Sequence, residues 1–130
     1  MKDSLFASTY FEHFYIQEDE KKYYCCILLD DGGSDLKSVR EDWEFDQIKS
    51  TIMRVCLGLR DMMNRKLVHC DIKENNILEK EEVFRNLTAE TTMKINKLID
   101  FAGTLDLTDR TFIECFGTPN YQSPEYVKEK

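Results

Sequence analysis

Apolar and polar positions along the chain sort into segments of different period. "FASTYFEHFYIQ" (6–17) and "YYCCILLD" (23–30) are rich in aromatic and β-branched residues. The charged "EDEKK" between them predicts two antiparallel strands with a short connection. "DDGG" (30–33) marks a turn, and "SDLKSV" after it lacks alternation and resembles the first turn of a helix. From about Asp42 to Arg65, the residues Ile48, Ile52, Val55, Leu59, Met62 and Met63 recur every three or four positions. That spacing predicts an amphipathic helix with this stripe in the core.

"LVHCDIKENNIL" (67–78) follows neither period. It predicts a polar loop held between two short strands, Leu67-Val68 and Ile77-Leu78, and charged loops on a rigid frame are common places for chemistry. "EKEEVFRNLTAETTMKIN" (79–96) is acidic, threonine-rich and aperiodic, which predicts a solvated insertion between two strands. "KLIDFAGTLDL" (97–107) begins as a short buried strand that runs directly into Asp100. The rest, through "FGTPNYQSPEYV" (116–127), has turn residues and little periodicity and is expected to be mostly loop.

Composition narrows the classes of function. A chain of 130 residues is at most one small domain. Its net charge of −7 argues against nucleic acid or an anionic membrane surface as the main partner. No apolar run approaches the ~20 residues of a membrane span, and acidic and histidine residues interrupt the start where a secretory core would lie. Five cysteines, Cys25, Cys26, Cys56, Cys70 and Cys115, have neither CxxC nor zinc-ligand spacing. Reduced thiols in a cytoplasmic or nuclear protein are therefore expected. Vicinal Cys25 and Cys26 are expected on opposite faces of a strand, as buried small residues.

Three polar residues and one distant aspartate carry the chemistry. Asp71 and Asn76 lie five apart in one loop, and Asp100 ends a later strand. Asn76 and Asp100 are two oxygen donors suited to Mg²⁺, which keeps several waters and shares phosphate oxygens. Asp71 can then orient or deprotonate an acceptor hydroxyl, and Lys73 can neutralise charge on a transferring phosphoryl group. A metal site from His69, Cys70 and Asp71 is disfavoured, because adjacent residues in an extended loop point in different directions. With glycines only at 32, 33, 58, 103 and 117, neither GxGxxG nor GxxxxGK occurs.

"VHCDIKENNIL", "KLIDFAG" and "FGTPNYQSPE" resemble, in order and approximate spacing, the eukaryotic protein-kinase signatures HRDxKxxN, DFG and GTxxYxxPE. The resemblance covers about residues 10–127. It implies an α+β, partial protein-kinase-like fold, with the end of the small β lobe and the hinge in 1–33. The first half of a mainly helical large lobe would occupy 34–130. It implies Asp71 as catalytic base, Lys73 on the γ-phosphate, Asn76 and Asp100 on Mg²⁺, and ATP as phosphoryl donor. Backbone groups near Asp30 and Gly32 would meet adenine over a floor made by Leu78. His69 and Phe101 would be packing members of an internal hydrophobic spine. Lys73 together with Thr118 resembles the serine/threonine class, with the "GTPNYQSPE" segment as the surface for a protein substrate.

The pattern has departures. Cys70 stands where most kinases have the arginine that receives an activation-loop phosphate. Thr104, Thr108 and Thr111 lie among Asp106, Asp109 and Glu114 with a single Arg110, so a phosphate there would meet repulsion. Ala102 replaces the glycine after Asp-Phe, which is tolerable where φ is negative. Glu74 replaces a common proline. The glycine-rich loop, the strand lysine and its glutamate partner have no counterpart before the hinge, so the chain is expected to be a fragment, inactive and poorly stable alone. Two functions compete: part of an ATP- and Mg²⁺-dependent serine/threonine protein kinase, or a catalytically silent kinase-like interaction module. Retention of Asp71, Lys73, Asn76 and Asp100 together favours the first.

Overall fold

The computed structural model describes residues 5–39, 42–86, 88–109 and 117–128. Its first element is a ribbon, β1 (Tyr10–Asp19) paired antiparallel with β2 (Lys22–Leu29), as the aromatic and β-branched runs predict. The ribbon is exposed along nearly its whole length: Phe11, Tyr15 and Ile27 are each about 60–70% accessible. Cys25 is exposed and Cys26 half-buried, which corrects the expectation that both are buried. A two-stranded ribbon has no third layer to cover either face, so strand neighbours on both sides meet water.

The turn at 30–33 leads first into a two-residue strand, β3 (Ser34–Asp35), and only then into a single helical turn, α1 (Leu36–Val39). Asp35 opens that turn, accepting from the backbone N–H and the hydroxyl of Ser38 at 3.1 and 2.7 Å. The long helix α2 runs Phe45–Asn64, inside the predicted span. At its start the Glu44 N–H donates to Gln47 Oε1 at 2.8 Å, half of a capping box. Lys66, with a φ of 62°, turns the chain out of the helix. Next comes the short strand β4 (Leu67–Val68).

The stripe along α2 is core only in part. Met62 is fully buried and Val55 and Leu59 pack against it, but Ile48, Ile52 and Met63 are exposed. Thr51 and Gly58 are buried in their place. The face turned inward is therefore rotated from the one the apolar spacing marks, because polar Thr51 and Arg54 meet polar partners on the sheet behind.

Residues 79–96 are not an irregular insertion. They are most of a hairpin, β5 (Ile77–Arg85) and β6 (Glu90–Leu98), in unbroken antiparallel register from Ile77 opposite Leu98 to Arg85 opposite Glu90. The outer half is wet on both faces, so it has no need of the apolar alternation that marks a strand. Asn86 closes the turn, its Oδ1 accepting from the N–H groups of Thr88 and Ala89 at 2.9 and 2.7 Å. The inner end, Asn96 to Leu98, is buried against α2. The order β3-β5-β6 forms one sheet, and β4 pairs with β7 (Leu105–Asp106) in another. The chain described closes with α3 (Pro124–Lys128), after a 3-10 turn at Pro119–Tyr121. Arg110, Thr111, Glu114 and Cys115 lie outside the described residues.

The two glycines of the 30–33 turn have distinct reasons. A Cβ on Gly32 would lie 2.4 Å from Leu78 Cδ1, so a larger residue there would push the end of that side chain aside. Gly33 has a φ of 89°, and a Cβ there would lie 2.1 Å from the Glu79 carbonyl oxygen. Gly33→Ala is expected to destabilise the fold by about 1–3 kcal/mol, read as a lowered midpoint in urea denaturation. An unchanged midpoint would show that the turn shifts freely.

Candidate active site

The polar loop is pinned at both ends. Leu67 and Val68 pair with Asp106 and Leu105, and Asn76 is buried immediately before β5. His69, 2% exposed, has Nε2 at 2.9 Å from the Ile99 carbonyl, and its ring lies 5.2 Å from that of Phe101. The imidazole is thereby committed to packing under the loop, and a metal site with Cys70 and Asp71 has no support. Cys70 has a φ of 68°. That left-handed residue turns the chain so that the next carboxylate faces the segment at 117–118.

Asp71 is the centre of the arrangement. Its Oδ1 accepts from the backbone N–H and the hydroxyl of Thr118, at 2.8 and 2.7 Å. Its Oδ2 accepts from Lys73 Nζ at 2.6 Å and from Asn76 Nδ2 at 3.0 Å. Lys73 Nζ also donates to Thr118 Oγ1 at 2.7 Å, closing a three-membered network. The ammonium of Lys73, and then the hydroxyl of Thr118, hold the Asp71 carboxyl well below the usual carboxylate range. These donors favour the ionised form of Asp71.

Asn76 donates through Nδ2 to both the carbonyl and the carboxylate of Asp71, which leaves its Oδ1 turned to other use. Asp100, exposed, lines with Asp71, Ala102 and Gly103 a cleft of about 230 Å³. Its backbone has a φ of 62°, a left-handed conformation that aspartate adopts more readily than most residues. Ala102 is not among the positive-φ residues, so its methyl replaces the usual glycine hydrogen without backbone strain. Asp100 lines this cleft, whereas Asn76 is buried and is not among its lining residues; both carry oxygen donors, the type that fits Mg²⁺ sharing its shell with water and phosphate. Among the described residues, no three of His, Cys, Asp or Glu gather to hold a metal by themselves.

The second group of expected residues lies at the turn after β2. Gly32 rests on Leu78, the second residue of β5, which begins immediately after Asn76. Asp30 pairs with Lys97 and accepts from the Thr9 N–H at 2.6 Å, while its own N–H donates to Thr9 O at 3.0 Å. Lys80 Nζ reaches the carbonyl of Asp31 at 3.3 Å. Thus β5 and β6 hold the turn from behind through two lysines. Lys97 was not singled out from the sequence. The available signal was a lysine at the head of the apolar run Leu98-Ile99, three residues before Asp100.

Thr104 Oγ1 is buried without a hydrogen-bond partner among the described residues, and Thr108 is tied to Asp106 through both its N–H and hydroxyl. No described helix is long and apolar enough to cross a membrane.

Comparison with known proteins agrees with the geometry. The protein kinase domain family matches residues 9–130. The chain belongs to that family. It is 34% identical over 85 residues to serine/threonine-protein kinase Nek1 of Mus musculus, covering 65% of this chain and 6% of that protein. Over 101 residues it is 34% identical to serine/threonine-protein kinase DCLK3 of Homo sapiens, covering 76% of this chain and 14% of that protein. To serine/threonine-protein kinase SKM1 of Saccharomyces cerevisiae it is 31% identical over 87 residues, 12% of that protein. The chain therefore spans a small part of the curated relatives it matches. A crystal structure of a kinase domain superposes with a TM-score of 0.67 over 95% of this chain and 40% of its own, at 20% identity. The fold is accordingly α+β and part of the kinase fold.

Proposed function

We propose that this chain supplies the catalytic loop, metal-binding aspartate and acceptor-docking segment of an ATP- and Mg²⁺-dependent serine/threonine protein kinase. The observation that carries the reading is the shared Lys73 ammonium, bonded at once to Asp71 and to Thr118. A silent interaction module has no physical use for a lysine, a threonine and a carboxylate spent on one another beside an open cleft.

In this reading residues 1–33 bring the adenine side and 34–130 the phosphate side. Because the Asp30 N–H is spent on Thr9, an adenine would meet the Asp30 carbonyl and the Gly32 backbone, above Leu78. Asn76 and Asp100 would hold Mg²⁺, which when bound offsets the negative charge of the phosphates. Lys73 places a positive charge where the transferring group passes. Asp71 orients the acceptor hydroxyl more than it strips it, since a carboxylate so strongly stabilised is a weak ground-state base. That suits phosphoryl transfer, in which positioning and electrostatics do most of the catalysis. Cys70 offers a neutral thiol where a phosphate-capturing arginine is usual, so activity is proposed not to need phosphate on Thr104 or Thr108.

The test is full-length protein with γ-labelled ATP, Mg²⁺ and peptides that differ only in the acceptor residue. Label on serine and threonine peptides, absent from tyrosine peptides and lost on chelation, is the expected result. Nucleotide binding without any peptide label would favour the silent module.

A further inference from the structure

The segment 117–122 is fastened to the catalytic loop at two places, and only the first joins residues named from the sequence. There, Thr118 meets Asp71 and Lys73. At the second, the Tyr121 hydroxyl donates to Glu74 Oε2. The fastenings sit at either end of one short element: Thr118 precedes the 3-10 turn and Tyr121 is its last residue. Glu74 in turn opens the 3-10 turn Glu74–Asn76 that delivers Asn76. The segment is stiff within itself, since the Tyr121 N–H donates to Thr118 O at 2.9 Å and Gln122 Nε2 to Gly117 O at 3.0 Å. A stiff unit tied at one point can swivel about it, whereas a second tie fixes its orientation. The proline common at this position in related kinases has no side-chain acceptor for a tyrosine hydroxyl.

We infer that Glu74 is a positioning residue for the acceptor peptide: its carboxylate holds Tyr121 so that the docking segment presents the acceptor hydroxyl to Asp71. This rests on the kinase reading, and it adds a residue that the motif itself does not contain. In this reading Glu74 acts through Tyr121, so its effect falls on the peptide more than on ATP. The bond lies at the surface, where a charged hydrogen bond is weakened by water.

Two measurements separate the possibilities. Amide hydrogen exchange across 117–123, which needs no catalysis, is expected to quicken in Glu74→Ala and in Tyr121→Phe and to stay near wild type in Glu74→Gln, which retains an acceptor. In the full-length enzyme, Glu74→Ala and Tyr121→Phe are each expected to raise the peptide KM about fivefold, with the ATP KM moved less than about twofold. The double variant is expected to cost less than the sum of the two single ones, since they share the Tyr121–Glu74 bond. Unchanged exchange in both single variants overturns the clasp. Quickened exchange with an unchanged peptide KM overturns the positioning role. Quickened exchange in the variants, together with a wild-type protein that labels no peptide, upholds the clasp and removes the kinase reading instead. A variant that fails to melt cooperatively is replaced by Tyr121→Phe, which deletes a single oxygen.

Discussion

Asp71→Asn is expected to lower peptide phosphorylation by roughly 10²–10⁴-fold, the range for losing a positioned acid–base group. The geometry says why so small a change is so costly. The carboxylate accepts four hydrogen bonds, two on each oxygen, from Thr118, Lys73 and Asn76. An amide keeps one oxygen and turns two N–H donors toward either Lys73 and Asn76 or Thr118, so donor meets donor whichever way it is placed. Asp100→Ala is expected to act differently, abolishing Mg²⁺-dependent nucleotide use while leaving the Asp71 network intact. The pH profile adds a check. The Asp71 pKa is depressed on folding, so the stability it contributes is complete above the unfolded value of about 3.9 and is lost only as pH falls below it. Any fall in rate between about pH 5 and 7 must then come from another group, and it should persist with the same midpoint in the residual activity of Asp71→Asn. If Asp71→Asn phosphorylated peptides normally, the role given to Asp71 would be wrong.

The parts of this molecule that the sequence made legible are those where several local signals coincide. The apolar spacing of residues 48–63 locates α2, and the aromatic runs locate the ribbon. Asp71, Lys73, Asn76 and Thr118 were named from their motifs, and they converge although Thr118 is 47 residues from Asp71. The parts that were not legible rely on partners far along the chain. Glu79, Lys94 and Asn96 look like solvated polar residues in an aperiodic run. The Glu79 and Asn96 side chains are buried on the inner part of a hairpin, with Lys94 at its rim, because Arg54, on a helix 25 residues before Glu79, supplies the matching charge. The same holds for Lys97, whose strand neighbours Asn96 and Leu98 say nothing of Asp30, and for Glu74, whose use depends on Tyr121. Hydrophobic period finds faces that bury carbon. It does not find faces that bury paired charge.

That paired charge carries the largest expected effect on stability. Glu79 is 8% exposed at its side chain, and it accepts from Arg54 Nη2 at 3.2 Å and Lys94 Nζ at 2.8 Å. Arg54 Nε donates to Asn96 Oδ1 at 2.6 Å, and Asn96 Nδ2 passes on to the Leu78 carbonyl at 3.2 Å. The network therefore ties α2 to both strands of the hairpin that carries Leu78 and leads into Asp100. Arg54→Met is expected to destabilise the fold by about 3 kcal/mol, the low end for breaking a buried pair, because Lys94 remains to face Glu79. Against a typical total of about 5–15 kcal/mol, that is a large share of a small domain's stability. Lys94→Met, whose side chain is 42% exposed, is expected to cost no more than about 1 kcal/mol. The deciding variant is the pair Arg54→Met with Glu79→Leu, which removes both charges. It should melt above Arg54→Met alone, since the cost lies chiefly in leaving Glu79 buried and short of a partner, not in losing attraction as such. Should the double variant melt below the single one, the network would be holding the hairpin by net attraction, and the account of a stranded carboxylate would fail.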